Sequence, residues 1–176
     1  MSTLHVENLK GLSSGGNANK VIIPTGQTLY APGHIVQTVS DTHAGSRLFS
    51  TSSTSFAASG LNVSITPTSS DSKIMIIVSS SGNNNDATNG DQLFYTLFRD
   101  STNIGGTTQN AGFGQIRGTS GTAVRGSLHI SYIDSPATTS AVSYELYARA
   151  SNSRTTVEIA GTSGTRHSII AMEIAQ

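Results

Sequence analysis

The strongest constraint on this fold is a series of short segments, from about His34 to the C-terminus, in which apolar and polar residues alternate. Leu61, Val63 and Ile65, for example, alternate with polar neighbours, which places all three on one face of a β-strand. No segment repeats its apolar residues with the period of a helix. Turn-forming residues separate about eight to ten such segments at intervals of roughly 8–14 residues. We therefore predict an all-β fold, a jelly-roll-like antiparallel β-sandwich, over residues 34–176.

Two of the predicted strands are apolar on both faces. Residues 73–79 place Met75 and Ile77 on the face opposite three other aliphatic residues, and residues 92–99 have the same two-sided pattern. In a two-layer sandwich, one face of each strand should meet solvent. Another surface must then cover the outward face, so we predict a symmetric oligomer, with a homotrimer favoured.

The surface of such a sandwich is expected to be neutral and rich in hydroxyl groups. The 176 residues include 28 Ser and 22 Thr, whereas charged residues make up only 11% and the formal net charge is zero. The Lys and Arg residues are scattered singly, whereas nucleic acids and anionic membranes are bound by clustered basic residues. We therefore expect neither nucleic-acid binding nor membrane insertion.

The chain contains no cysteine. This excludes a disulfide scaffold, a thiol catalyst and a metal site with Cys ligands. The absence of disulfides weakly favours assembly in the cytoplasm. No apolar h-region of a signal peptide is visible in residues 1–20, and no apolar run approaches the roughly 20 residues that span a bilayer.

Residues 1–33 differ from the rest of the chain and are predicted to form an extended N-terminal arm, with one or two short strands. A polar stretch rich in Gly, Ser and Asn, residues 11–19, separates two short apolar regions, and Pro32-Gly33 is a turn signal. Such an arm cannot bury its apolar residues alone, so we expect it to pack on a neighbouring subunit or on a larger assembly and to be disordered in the isolated protein. The expected docking residues are Leu4, Val6, Leu9, Val21, Ile22 and Ile23.

Motifs for catalysis or cofactor binding are missing. Residues 11–20 lack the Gly-Lys-Ser/Thr sequence of a phosphate-binding loop, and no G-x-S-x-G motif surrounds any serine. The acidic residues are dispersed, with no recognisable pair for glycoside hydrolysis. We therefore predict no catalytic residue, no cofactor and no enzyme.

Metal binding is not favoured either. No two of the five histidines have the spacing that would place both on one strand face toward a metal. Residues 83–91 carry oxygen ligands suited to calcium, and Asp86 or Asp91 could take part in such a site, but a solvated hairpin loop is favoured because the EF-hand pattern fails. A repeated Gly-Thr-Ser-Gly-Thr sequence, at 118–122 and 161–165, is interpreted as a reused turn.

Several stretches resemble the tail-fibre-like proteins, small virion appendages, of tailed bacteriophages, especially those of marine bacteria. The similar stretches cover most of the chain: residues 1–9, 16–29 (GNANKVIIPTGQTL), 32–37 (PGHIVQ), 49–67, 72–74, 97–101 (LFRDS), 132–140 (YIDSPATTS) and 172–175 (MEIA). The resemblance implies a β-sandwich, usually trimeric, in a virion appendage assembled in the host cytoplasm. It supplies no catalytic residue. The chain departs from the family in lacking the long shaft of a full tail fibre.

Three functions remain open from the sequence. The first is a structural appendage whose arm docks on the virion and whose loops contact glycans or proteins of the host surface, and the expected contact residues are Asn84, Asn85, Asp86 and Asn89. Tyr95 and Tyr147 are further candidates for such weak, multivalent contacts. The second is a capsid decoration or cement protein (a head fibre or knob), whose arm would clamp neighbouring capsid subunits and stabilise the shell. The third, which the residues favour least, is a polysaccharide depolymerase.

Overall fold

A computed structural model describes residues 13–16, 22, 31–45, 47–85, 90–106, 112–118, 123–160 and 165–176. The contacts divide the chain into two units, Met1–Ala31 and Pro32–Gln176. The second unit contains every strand of the described residues, and these residues form no helix. Within the described part of the chain, no helix is long and apolar enough to cross a membrane. The extended conformation predicted for the arm falls almost entirely outside the described residues and stays a prediction.

Eleven strands are described, and they fall into two antiparallel sheets. The first, sheet A, contains β1, β2, β4, β8, β10 and β11, and the second, sheet B, contains β3, β5, β6, β7 and β9. The strands are β1 (Ile35–Ala44), β2 (Arg47–Thr51), β3 (Ala57–Ile65), β4 (Lys73–Asn84), β5 (Gln92–Arg99), β6 (Thr102–Asn103), β7 (Gly114–Arg117), β8 (Val124–Asp134), β9 (Val142–Ala150), β10 (Val157–Ala160) and β11 (Arg166–Ile174).

The strand order is that of a jelly roll. β10 and β11 pair with successive parts of β4, and β2 and β1 pair with β10 and β11 in turn. β1 and β2 therefore lie end to end like one interrupted strand, and so do β10 and β11. Sheet A then reads β1/β2, β10/β11, β4 and β8, and sheet B reads β3, β9, β5 and β6/β7. The chain crosses from one sheet to the other at every connection between these strand positions except from β5 to β6/β7, and this arrangement of four strand positions in each of two antiparallel sheets confirms the predicted jelly-roll sandwich.

The core lies between the two sheets, on the faces that the alternating pattern predicts. Leu61, Val63 and Ile65 of β3 are buried, and so are the alternating aliphatic residues of β4, β8, β9 and β11. The face of each sheet that meets this core is called the inner face below, and the opposite one is called the outer face. The alternation of apolar and polar residues predicted along the chain is thereby confirmed, with the apolar residues on the inner faces.

The outer face of β5 does not need a partner chain to cover it, contrary to the prediction. Residues of the same chain cover it. The guanidinium of Arg149 lies 4.3 Å from the ring centre of Phe94, and the ring of Phe98 stacks on Tyr147 with centres 3.9 Å apart. The pattern of β5 therefore no longer argues for a partner chain, whereas Met75 and Ile77 of β4 remain partly exposed on the outer face.

Candidate functional site

The end of the sandwich where β4 ends and β5 begins carries a network of side-chain amides and hydroxyls, here called the loop end. The Asn84 side-chain amide donates to the backbone oxygen of Asp91 at 2.8 Å. The carboxylate of Asp91 in turn accepts hydrogen bonds from the side chains of Asn152 and Thr155. These bonds join the start of β5 to the segment between β9 and β10, so the loop end is held in place by its own polar side chains.

A second polar group surrounds Glu158, which is almost fully buried on β10. Its carboxylate accepts a hydrogen bond of 3.2 Å from the Asn83 amide and forms an ion pair of 3.3 Å with Arg47. Asn83 also donates to the side chain of Asn85. A carboxylate buried this far loses its hydration, and these partners replace it.

The structure places the predicted contact residues unevenly. Asn84 has an exposure of 0% and belongs to the end of β4, because that strand continues through residue 84 in register with Val124 and Val157. Asn84 therefore has to be removed from the set of exposed contact residues, whereas Asn85 is exposed. The other two predicted contact residues, Asp86 and Asn89, lie outside the described residues.

The two aromatic candidates lie on opposite faces of sheet B. Tyr95 faces the core and is buried, which corrects its expected position at an exposed tip. Tyr147 is half-buried on the outer face of sheet B, where its ring stacks on Phe98, and the Phe98 ring also meets Phe56 edge to face. Further exposed polar residues described at the loop end include Ser153, Arg154 and Thr156, and Arg117 at the end of β7.

Of the six predicted docking residues in the arm, only Ile22 is described. Its side chain is exposed. The other five, Leu4, Val6, Leu9, Val21 and Ile23, lie outside the described residues.

A cleft of about 160 Å³ opens where the long edge strands of sheet A are interrupted. It is lined by His43, Ala44, Gly45, Arg47, Leu48 and His167. His43 and His167 are directly opposite each other in the pairing of β1 with β11. The Nδ1 atom of His167 lies 2.7 Å from Ser80 Oγ, and Nε2 of His43 lies 2.9 Å from an oxygen of Asp41.

This arrangement is not that of a catalytic triad. In a triad, one histidine contacts both the serine and the orienting carboxylate. Here Ser80 contacts His167, whereas the carboxylate of Asp41 contacts His43. No group of three or more metal-ligating side chains occurs within the described ranges. The cleft is therefore a polar recess lined by two histidines and by Arg47, whose guanidinium is paired with Glu158.

Replacing His167 by asparagine is expected to make stability less sensitive to acid. Burial, and to a smaller extent the neighbouring His43, lowers the pKa of His167, against an opposing effect of the Gly45 backbone. A histidine whose pKa is lowered on folding stabilises the protein fully above the unfolded value of about 6.5, and this stability is lost as the pH falls toward the folded value. The substitution can lower the slope of the unfolding free energy against pH by at most about 1.4 kcal/mol per pH unit.

Urea unfolding of the wild type and of His167→Asn between pH 8 and 5 measures this difference. Asparagine keeps an oxygen in a position to accept from Ser80 but does not titrate. His129, which is exposed on β8, supplies the control His129→Asn. Parallel pH curves for the wild type and His167→Asn would rule out this role for His167.

The residue pairs at the cleft and the loop end were not visible in the sequence. His43 and His167 are separated by more than a hundred residues and meet only because β1 pairs with β11. Asp91 and Asn152 likewise meet across the ends of β5 and β9. Only the density of Asn and Asp residues around 82–91 indicated a polar site at this end.

Comparison with known proteins gives no family assignment. No protein-family model matches this chain, and no curated protein matches its sequence. A function therefore has to be argued from the fold, the surface chemistry and the resemblance of short stretches.

Proposed function

We propose that this chain is a non-enzymatic structural protein of a phage virion, a tail-fibre-like appendage. The N-terminal arm docks on the virion, and the sandwich presents its loop end to the host surface. The proposal is carried by one observation: the fold is a jelly roll whose loop end is lined with amides and hydroxyls. Jelly rolls are common in viral capsid proteins and lectins, although a fold alone does not determine a function.

The chemistry of the loop end suits weak polar recognition. Asn85, Ser153 and Thr156 offer neutral donors and acceptors, and Arg117 and Arg154 add exposed cations. Such groups bind the hydroxyls of a glycan or the backbone of a protein without a deep pocket. Several copies on one appendage would convert weak single contacts into stable attachment.

The location of the protein on the particle tests this function first. Antibody labelling and cryo-electron microscopy of virions that carry the chain should place it on the tail. A position on the capsid shell would instead support a decoration protein, and heads lacking tails should then gain heat resistance when they bind it. Absence from the particle would overturn both functions.

The contact role of the loop end has its own test. The double variant Asn85→Ala/Arg154→Ala is expected to bind host cells at least about tenfold more weakly, because multivalent attachment multiplies the loss at each copy. Binding of fluorescently labelled protein to the bacterial host measures the effect. Ser64→Ala, an exposed change on the outer face of sheet B, is the control and should bind like the wild type. Equal binding by all three proteins would remove the loop end from the contact surface.

A further inference from the structure

The outer face of sheet A carries a continuous apolar area, here called the sheet-A patch. Met75 lies opposite Ile133 on one side and Met172 on the other, and Ile77 lies opposite Ile170. Ile174 continues the patch to Ile35 on β1. Ile35 and Ile133 are the most exposed members, at 54% and 52%. The patch consists of Ile35, Met75, Ile77, Ile133, Ile170, Met172 and Ile174, from four neighbouring strand positions.

These side chains are not part of the core, because they alternate with buried residues along each strand. On β4 and β11, every second residue faces sheet B and is buried, and the patch residues are the ones between. Their exposure leaves apolar area in water, at roughly 25 cal/mol per Å². Contiguous apolar areas of this kind on a soluble protein usually mark an interaction surface.

The outer face of sheet B offers no comparable area. Its aromatic residues are covered by Arg149 and by each other, and its exposed positions on β3 are small or polar, such as Asn62 and Ser64. The two outer faces of the sandwich are therefore chemically different, and among the described residues only the face of sheet A has apolar side chains without a cover.

We propose that the outer face of sheet A is the surface through which this chain binds a second copy of itself. The size of the face fits this occupant. Four strand positions about 4.8 Å apart and roughly twelve residues long cover about 750 Å², close to the 800 Å² or so that each partner buries in a stable interface. The patch supplies the apolar centre of that interface, and the adjoining hydroxyl residues supply a polar rim. These rim residues are Thr38, Ser40, Thr42, Ser79, Ser127, Ser131 and Ser168.

The charge of the face also fits a second copy. The acidic residues of these strands nearest to the patch, Asp134 and Glu173, are buried on the inner side. The charged residues on the outer face of β1, β4, β8 and β11 are basic: Lys73 borders the patch in register with Ile174, and the exposed Arg125 and Arg166 lie toward the other end of the face. The patch itself carries no charge, so two identical faces can meet at their apolar centres without placing carboxylates against each other.

A closed symmetric assembly buries the sheet-A patch of every copy, because each copy presents the same patch toward a common axis. The homotrimer predicted from the two-sided pattern of residues 73–79 is the assembly we expect. The inference depends on the surface of sheet A alone and does not depend on a virion function, so either proposal can fail without the other.

Sedimentation velocity of the full-length protein tests the inference. The wild type is expected to sediment as an oligomer at about 10 μM, well within the range in which interfaces of this size assemble. Ile133→Glu places a carboxylate in the patch at an exposed position and should raise the dissociation constant by at least about 30-fold, because the charge would be buried without a partner. Ser64→Glu introduces the same charge on the outer face of sheet B and should sediment like the wild type. Circular dichroism verifies that each variant is folded.

A thiol-labelling measurement keeps the test decisive even when Ile133→Glu does not fold. The chain has no cysteine, so Ile133→Cys and Ser64→Cys each introduce a single thiol. A bulky maleimide should label Cys in Ile133→Cys at least about tenfold more slowly in concentrated than in dilute protein, since assembly shields an interface position. The thiol of Ser64→Cys should react at one rate throughout. A monomeric wild type, an oligomer unaffected by Ile133→Glu, or concentration-independent labelling of Ile133→Cys would overturn the proposal.

Discussion

Replacing Glu173 by alanine is expected to lower the free energy of unfolding by about 3 kcal/mol, because several buried donors would lose their shared acceptor. Glu173 is fully buried at the end of β11. One carboxylate oxygen accepts hydrogen bonds of 2.7 Å from the Ser72 hydroxyl and from both the backbone and the hydroxyl of Thr68. The other accepts a bond of 2.7 Å from the Gln37 amide. One side chain thus ties the last strand to β1 and to the segment between β3 and β4.

Glutamine at position 173 separates the charge from the hydrogen bonds. Glu173→Gln keeps an oxygen for Ser72 and Thr68 but replaces the acceptor of the Gln37 amide by a donor, whereas that amide keeps its bond to the Thr66 backbone oxygen. We expect a loss of about 2 kcal/mol, smaller than for alanine, since the bonds from Ser72 and Thr68 remain but are no longer charge-assisted. Urea unfolding at pH 7 measures both variants. Equal stability of Glu173→Ala and the wild type would show that the network contributes nothing to the folded state.

The same network predicts a dependence on pH. Burial raises the pKa of Glu173, but the hydrogen bonds from Ser72, Gln37 and Thr68 outweigh that effect, and the net pKa is lowered. A glutamate with a lowered pKa stabilises the folded protein fully above the unfolded value of about 4.3, and this stability is lost as the pH falls through the folded value. Below about pH 5, the wild type should therefore lose stability more steeply than Glu173→Gln.

Much of the fold could be predicted from local patterns. Alternation in β3, β8 and β9 placed the core residues correctly, because a sheet with one buried face imposes a period of two. The ends of the strands were harder to predict from the sequence. β4, for example, continues through Asn84, whereas composition predicts a loop from residue 83. Pairing with β8 and β10 decides where β4 ends, and local composition does not report that pairing.

For the candidate site, too, composition predicts the polar character, whereas burial depends on strand pairing. A polar loop near residues 82–91 was visible from its composition, but the burial of Asn84 depends on strand register. The two-sided apolar pattern was correctly noticed in both β4 and β5, yet only register and packing show which outer face is covered. Arg149 covers Phe94 from a neighbouring strand, and no local signal connects those two residues.

The two sheets are also joined by a buried polar bridge centred on Asp134 of β8. Its carboxylate accepts a hydrogen bond of 2.7 Å from the hydroxyl of Tyr144 and forms an ion pair of 2.9 Å with Arg99. Tyr144 and Arg99 belong to β9 and β5 of sheet B, whereas Asp134 belongs to sheet A. Burial, and next the bond to Asp134, raises the pKa of Tyr144, so its hydroxyl remains a donor throughout the accessible pH range.

Removing the acceptor from this bridge should cost more than removing a donor. Asp134→Ala is expected to lose about 3 kcal/mol, because it leaves the Arg99 guanidinium and the Tyr144 hydroxyl without their partner in a mostly dry environment. Tyr144→Phe removes only one hydrogen bond and its donor, and should lose about 1 kcal/mol.

The double variant Asp134→Ala/Tyr144→Phe completes a thermodynamic cycle, measured by urea unfolding. It should be more stable than the sum of the single losses implies, by about 1 kcal/mol, since the phenylalanine no longer requires a partner. Strict additivity would mean that Asp134 and Tyr144 act independently, and the hydrogen bond between them would then contribute nothing to the joining of the two sheets.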